Sequence, residues 1–205
     1  NKAPAYRDLY RQEVRHWDEL FGELISYLKE RGVYERALLV VTSDHGEEFA
    51  DHGGFWHGTS LYQELVHVPL VIRFPGGAGA GVRVDQPVSL VDLVPTVLAQ
   101  AGAEAREELA GVALGPDTLV PGRVLFAEED HQGCVLTAVR NGPWKLVQAN
   151  ADNHRGIAAT ELFNLAEDPR EKNDLSDERT DERDRLLELL RAGPKAAVPA
   201  AKPRD

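Results

Sequence analysis

Methionine is absent from these 205 residues, cysteine occurs once, at Cys134, and aromatic residues make up only 7% of the chain. A lone cysteine excludes an internal disulfide and leaves the redox compartment open. No apolar run approaches the length of a membrane-spanning helix, so no membrane-embedded part is expected. Basic residues are in the minority, 23 Lys and Arg against 34 Asp and Glu, for a net charge of -11. That balance argues against a nucleic-acid backbone as the main partner, because such proteins carry a basic patch. It does not exclude a small anionic substrate, since a bound metal ion reverses the potential inside a pocket. No targeting segment is visible, and because Asn1 is not a methionine the compartment stays open. There is no internal repeat. The glycine-rich run at 75–81 lacks the strand, spacing and helix of a phosphate-binding loop and is read as a surface turn.

What is present suits a soluble globular chain: 42% apolar and 28% charged residues, enough for one sizeable domain or a domain with an appendage. Leu9, Val14, Trp17, Leu20, Phe21, Leu24, Ile25 and Leu28 recur at spacings of three and four, which predicts an amphipathic helix over residues 5–31, ended by Gly32. It leads into residues 38–42, an apolar, β-branched run that reads as a strand buried on both faces. Helix and strand should then pack as one unit of a largely parallel sheet. A short helix is expected to start within 60–65, a second buried strand over 67–74, and a helix over 89–101 with Pro95 either in its first turn or at a kink. From Arg123 onward the pattern changes to short alternating strands at 124–128, 135–140, 144–148 and 160–164, then a helix at 181–191. Asn141-Gly142 signals a hairpin, complicated by Pro143 directly after it. The expected division is 1–115 for an α/β portion, 116–193 for a small antiparallel subdomain, and 194–205 for a disordered tail.

The chain is organised around residues 38–58, LLVVTSDHGEEFADHGGFWHG. At a strand's carboxyl end, where α/β proteins gather ligands, Asp44 offers carboxylate oxygens and His45 an imidazole nitrogen. Gly46 permits a sharp turn and a close ligand approach. Twelve residues after His45 comes His57-Gly58, reached through Gly53 and Gly54. A divalent metal with an anionic substrate fits this set best.

The segment TSDHGEEFADHGGFWHGTSLYQELVHVPLVIRFPG resembles the metal-binding segment of the sulfatases of the alkaline phosphatase superfamily. In the same order, VSLVDLVPTVLAQAG is similar to the helix that follows there, AVRNGPWKLV to the late hairpin, and ELFNLAEDPREKNDL to the closing strand and Asp-Pro turn. The resemblance implies an alkaline phosphatase-like α/β fold and a metal-dependent sulfate ester hydrolase. In that family a Cys or Ser within Cys/Ser-x-Pro-x-Arg becomes formylglycine, whose hydrated aldehyde attacks sulfur while one metal ion polarises the sulfate oxygens. Asp44 matches a metal-binding aspartate and His45 the adjacent ligand, and His57 falls where the family places a Lys or His near the bridging oxygen. Calcium is the family's metal, whereas an imidazole ligand tilts the choice towards manganese or zinc. The nucleophile motif is not in this chain: Cys134 lies in Gly-Cys-Val-Leu-Thr. The chain therefore looks like the carboxyl-terminal half of a sulfatase, with formylglycine expected in the amino-terminal half. Alone it should bind metal poorly, because two protein ligands rarely close a calcium site, and turn over little or nothing.

Other readings compete. Phosphodiesterases, phosphonate monoester hydrolases and phosphoethanolamine transferases of the same superfamily resemble the segment too, and in their two-metal members the later histidine binds metal. The Trp144-Lys145 hairpin and the Asp168-Pro169 ending favour a sulfatase. A non-catalytic, anion-binding remnant is the third reading. Glu47 and Glu48 either support the metal pair from behind or are simply solvated, the usual state of adjacent acids. His52 is read as a structural loop residue, His67, His131 and His154 as structural or exposed, Cys134 as a small hydrophobe in a sheet, and Trp144 as core packing. The substrate expected is a small-molecule or carbohydrate sulfate ester. The partner expected is the amino-terminal half or another copy, through exposed apolar surface.

Overall fold

The computed structural model describes residues 2–104, 109–118 and 120–194. The tail expected to be disordered lies, beyond Pro194, outside the described residues.

Helix α1 (Ala3–Glu30) ends as its sequence demands. Gly32, at φ +65°, lets its own N–H reach the Lys29 carbonyl at 3.0 Å and the Val33 N–H reach that of Leu28 at 2.9 Å, which satisfies carbonyls the last turn leaves open. Strand β1 (Leu39–Thr42) follows, then the two-residue strands β2 (Glu48–Phe49) and β3 (Phe55–Trp56), which pair as a small hairpin. The one-turn helix α2 (Gln63–Val66) leads to β4 (Leu70–Arg73). After a 3₁₀ turn at Leu90–Asp92, α3 spans Leu93–Gln100. Pro95 thus occupies the first turn of a helix and kinks nothing. Asp92, fully buried, accepts both branches of the Arg123 guanidinium at 2.7 and 2.5 Å, tying this helix start to the beginning of the second sheet.

That sheet comprises β5 (Val124–His131), β6 (Cys134–Asn141), β7 (Trp144–Ala149) and β8 (Thr160–Asn164), antiparallel in chain order. The β6–β7 turn is shifted one residue from the expected Asn-Gly. Asn141 pairs with Trp144, so Gly142 and Pro143 form the loop. Gly142 at φ +61° supplies the positive first position that such a tight turn needs, and Pro143 stands where no ladder donor is required. Helix α4 (Thr180–Ala192) closes the chain.

Period-two alternation gives this sheet two apolar faces. Val139, Leu146 and Leu162 turn to Leu186 of α4, with Trp144 packed at the margin. Leu136, Ala138, Val147 and Phe163 turn the other way, onto Leu61 and Tyr62 of the segment that follows His57. Each fully buried leucine here contributes about 1.5–3 kcal/mol. Cys134 is buried among the second set, as a small hydrophobe should be.

The α/β architecture with its small antiparallel sheet and closing helix is as expected, but the local pairing is not. β1 and β4 lie side by side antiparallel, Thr42 opposite Leu70 and Leu39 opposite Arg73. Parallel neighbours need a crossover long enough to return the chain to its starting end. Between β1 and β4 the only α-helix is the single turn of α2, so the chain re-enters where it left. Nor does β1 become buried on both faces: all its residues are half-buried, and Val71 of β4 is 62% exposed. Helix α1 packs with its first turns on the β2–β3 hairpin, Tyr6 against Phe55 and Trp56 and Tyr10 against Phe49. Further along, Trp17, Leu20 and Leu24 remain about half exposed.

Candidate functional site

β1 delivers Ser43, Asp44 and His45 at its carboxyl end. Gly46 makes the turn, but for a reason other than ligand access. A Cβ there would lie 1.9 Å from the Glu64 carbonyl oxygen, and its N–H donates to the Leu65 carbonyl at 2.8 Å. The missing side chain lets the strand end lie directly on the backbone of α2.

The structure brings the three predicted residues together. The His45 and His57 rings stack with centroids 4.1 Å apart. The Asp44 carboxylate, 87% exposed, lies 3.8 Å from His45 Nε2. His45 Nδ1 is 2.8 Å from the Gly46 carbonyl, and because a carbonyl only accepts, Nδ1 is the donor there and Nε2 is the nitrogen that faces Asp44. An imidazole lone pair beside an exposed carboxylate is the donor chemistry a divalent cation takes. The His45 N–H donates to Asp44 Oδ1 at 3.0 Å. That bond, and after it the neighbouring imidazole, hold the Asp44 carboxyl below the ordinary carboxylate range. The set is partial, however. Among the described residues no group of three or more His, Cys, Asp and Glu side chains is placed to hold a metal.

His57 is half exposed, with Nδ1 3.3 Å from Glu47 Oε1, a carboxylate itself largely buried. Glu47 thereby orients the ring and leaves Nε2 as its free nitrogen. Trp56, just before it, sits at φ +72°, a conformation costly for a bulky residue and held by its surroundings.

Adjacent acids are usually solvated, and here Glu48 is not: it is fully buried. Its Oε1 accepts the N–H of His52 at 3.0 Å and of Gly54 at 2.7 Å, and Arg155 reaches Oε2 and Oε1 at 2.9 and 3.2 Å. Arg155 also donates to Thr59 Oγ1 at 3.2 Å. One buried ion pair thus shapes the whole loop that carries His57. Gly54 is bare because any Cβ would fall 1.5 Å from Arg155 Nη1. His52 is structural, as expected. Its Nδ1 is 2.6 Å from Glu64 Oε1 and its Nε2 2.9 Å from the Glu171 carbonyl. Burial pushes its pKa down, but these acceptors outweigh burial and hold it above the ordinary value.

A second buried pair sits below. Lys145 Nζ is 2.6 Å from Glu171 Oε1 and donates to the Leu61 carbonyl at 2.5 Å, while Glu171 Oε2 accepts the Gln63 N–H at 2.5 Å. Burial holds the Lys145 pKa down against the pull of Glu171. Lys145, Arg155 and Glu171 come from the late sheet and its Asp-Pro turn, and no local sequence signal ties them to residues 48–64. An open cleft of about 1330 Å³ runs from Asp44, His45 and His57 past Gly58 to His131, Arg140 and Lys145. Ser60 Oγ, buried, has no hydrogen-bond partner among the described residues.

A model of the sulfatase family matches residues 1–103, the stretch that carries Asp44, His45 and His57. The chain belongs to the sulfatase family. It is 31% identical over 198 residues to arylsulfatase K of Danio rerio, covering 91% of this chain and 36% of that one. It is 30% identical over 181 residues to arylsulfatase K of Homo sapiens, covering 80% of this chain and 32% of the relative. The chain thus spans about a third of the length of these sulfatases. A protein solved in complex with its substrate D-glucosamine-2-N,6-O-disulfate superposes with a TM-score of 0.71 at 25% identity, over 91% of this chain and 40% of the other. The phosphonate monoester hydrolase of Agrobacterium radiobacter gives the same TM-score of 0.71 at 26% identity, over 87% of this chain and 39% of that one. Sulfatases generally use a metal ion and formylglycine. The donors offered by Asp44 and His45 suit a divalent metal in kind, although among the described residues they do not form part of a group of three or more such side chains.

Proposed function

We propose that this chain is the metal-binding and leaving-group portion of a metal-dependent sulfate ester hydrolase, built from an α/β part over 1–115 and an antiparallel subdomain over 116–193. The observation that carries the reading is the stacked His45–His57 pair beside the exposed Asp44 carboxylate, at the mouth of a cleft and within the stretch matched to the sulfatases. Asp44 and His45 Nε2 would hold one divalent ion, calcium by family habit or manganese or zinc by the imidazole's preference. Such an ion, when bound, draws electron density from sulfate oxygens. His57, turned by Glu47, presents Nε2 to the bridging oxygen and gives the departing alcohol a hydrogen bond or a proton. The substrate is a small-molecule or carbohydrate sulfate ester. The nucleophile motif of the family does not occur in these 205 residues, so the isolated chain is inactive. The half-exposed apolar residues of α1 and β4 are surface for the rest of a sulfatase polypeptide.

The likeness to a phosphonate monoester hydrolase supports a second reading, in which His57 is itself a metal ligand. The complete protein decides between them. It should hydrolyse a sulfate ester in preference to a phosphonate monoester, bind one divalent ion per chain, and contain an aldehyde-bearing Cys/Ser-x-Pro-x-Arg peptide by mass mapping. Asp44→Asn should weaken metal binding in a calorimetric titration. Preference for the phosphonate ester with two metal ions bound would establish the second reading instead.

A further inference from the structure

The edge strand β5 places two polar side chains at the cleft that the proposed chemistry does not use. Directly opposed residues of an antiparallel pair share a face, and His131 stands opposite Cys134 and Glu129 opposite Leu136. Cys134 and Leu136 belong to the face covered by Leu61 and Tyr62, and Cys134 Sγ lies 3.6 Å from the Thr59 carbonyl. Glu129 and His131 therefore point to the same side, towards residues 58–61. Confirming this, the His131 ring lies 3.4 Å from where a Gly58 Cβ would stand, one residue from His57. Both side chains line the cleft shared with Asp44, His45 and His57. Neither makes a side-chain hydrogen bond or ion pair among the described residues, whereas nearby Lys145 is taken up by Glu171 and Leu61.

We infer that Glu129 and His131 form a subsite for a hydroxylated leaving group, so that the preferred substrate is a carbohydrate sulfate and not a simple aryl sulfate. The inference rests on the sulfatase reading and on His57 as the residue nearest the departing oxygen. Two residues apart on one strand face, the side chains leave the backbone about 7 Å apart, a separation that a sugar ring spans. A carboxylate accepts from sugar hydroxyls and an imidazole either donates or accepts. An aryl ring offers neither group anything to bond, and a site built to bond hydroxyls discriminates against ligands that lack them.

The test is carried out on the complete protein with two probes, a sulfated glucosamine and nitrophenyl sulfate. In His131→Ala and Glu129→Gln, kcat/KM for the sugar sulfate should fall about tenfold to a hundredfold each, the loss of one hydrogen bond to a polar or charged group, mainly through KM. Turnover of nitrophenyl sulfate should stay within about twofold. The exposed His131 has little to lose structurally, and His131→Gln, which keeps a donor and an acceptor, should recover part of the loss. Equal losses on both probes, or no loss on either, would overturn the subsite while leaving the sulfatase reading intact. Failure of the unsubstituted protein to hydrolyse any sulfate would sink both.

Discussion

The buried Glu48–Arg155 pair is where the loop carrying His57 is most exposed to perturbation. Glu48 is fully buried and the Arg155 side chain is 13% exposed, so neither charge has water to fall back on. Arg155→Met keeps most of the aliphatic stem but strands a carboxylate whose other hydrogen bonds among the described residues, from the N–H groups of His52 and Gly54, both go to Oε1. Removing one partner of a buried pair costs about 3–5 kcal/mol, a large fraction of the stability of an ordinary domain. Glu48→Gln leaves an amide oxygen for the two backbone donors but sets its NH₂ against the guanidinium. Its cost falls near the lower end, about 3 kcal/mol, because Arg155 still has Thr59 Oγ1 and the His52 carbonyl. The double variant removes both charges together. It should be less destabilised than the sum of the singles by about 2–3 kcal/mol. Urea denaturation of the complete protein at constant pH, followed through the transition that reports on this region, gives all three values. Single-variant costs below about 1 kcal/mol, typical of exposed pairs, or strict additivity, would refute the claim that this pair shapes the loop.

Two further predictions follow from the same packing. Gly46→Ala drives a methyl group into the Glu64 carbonyl, 1.9 Å from the ideal Cβ position. It should destabilise the protein by at least the 1–3 kcal/mol usual for overpacking and weaken metal binding, read by thermal denaturation and calorimetry; an unchanged melting temperature would contradict the close contact. His52 has its folded-state pKa raised by Glu64 and the Glu171 carbonyl. Its stabilising contribution is then fully present below the unfolded value of about 6.5 and is lost as pH rises through the folded-state pKa. Stability measured from mildly acidic to mildly alkaline pH should decline over that window, and His52→Gln should flatten the decline.

The local elements were legible because they depend on near neighbours in the chain. The helix ending at Gly32, the strands from Val124 onward and the closing helix follow from periodicity and from capping residues whose effect reaches only a turn. That Asp44, His45 and His57 come together in space was legible as well, since they lie within one continuous segment. The antiparallel β1–β4 pairing was not. Whether a returning chain runs parallel or antiparallel depends on how far the intervening loop travels in space, and a buried apolar run reads the same in either direction. Glu48 shows the same limit at the level of one side chain. Beside Glu47 it looks like an ordinary solvated acid, and only Arg155, 107 residues later, makes its burial affordable. The nearness of His131 to Gly58 is equally a matter of tertiary contact, because β5 reaches the cleft only through the sheet that Leu61 and Tyr62 cover. The sequence by itself determined which residue types stand at the candidate site and roughly where the longer helices and strands lie, though it carried no signal for the two-residue strands β2 and β3. The tertiary structure alone decided which acids are buried, which face of β5 meets the cleft and how the His57 loop is held, because buried ion pairs and sheet faces join residues that no local pattern connects.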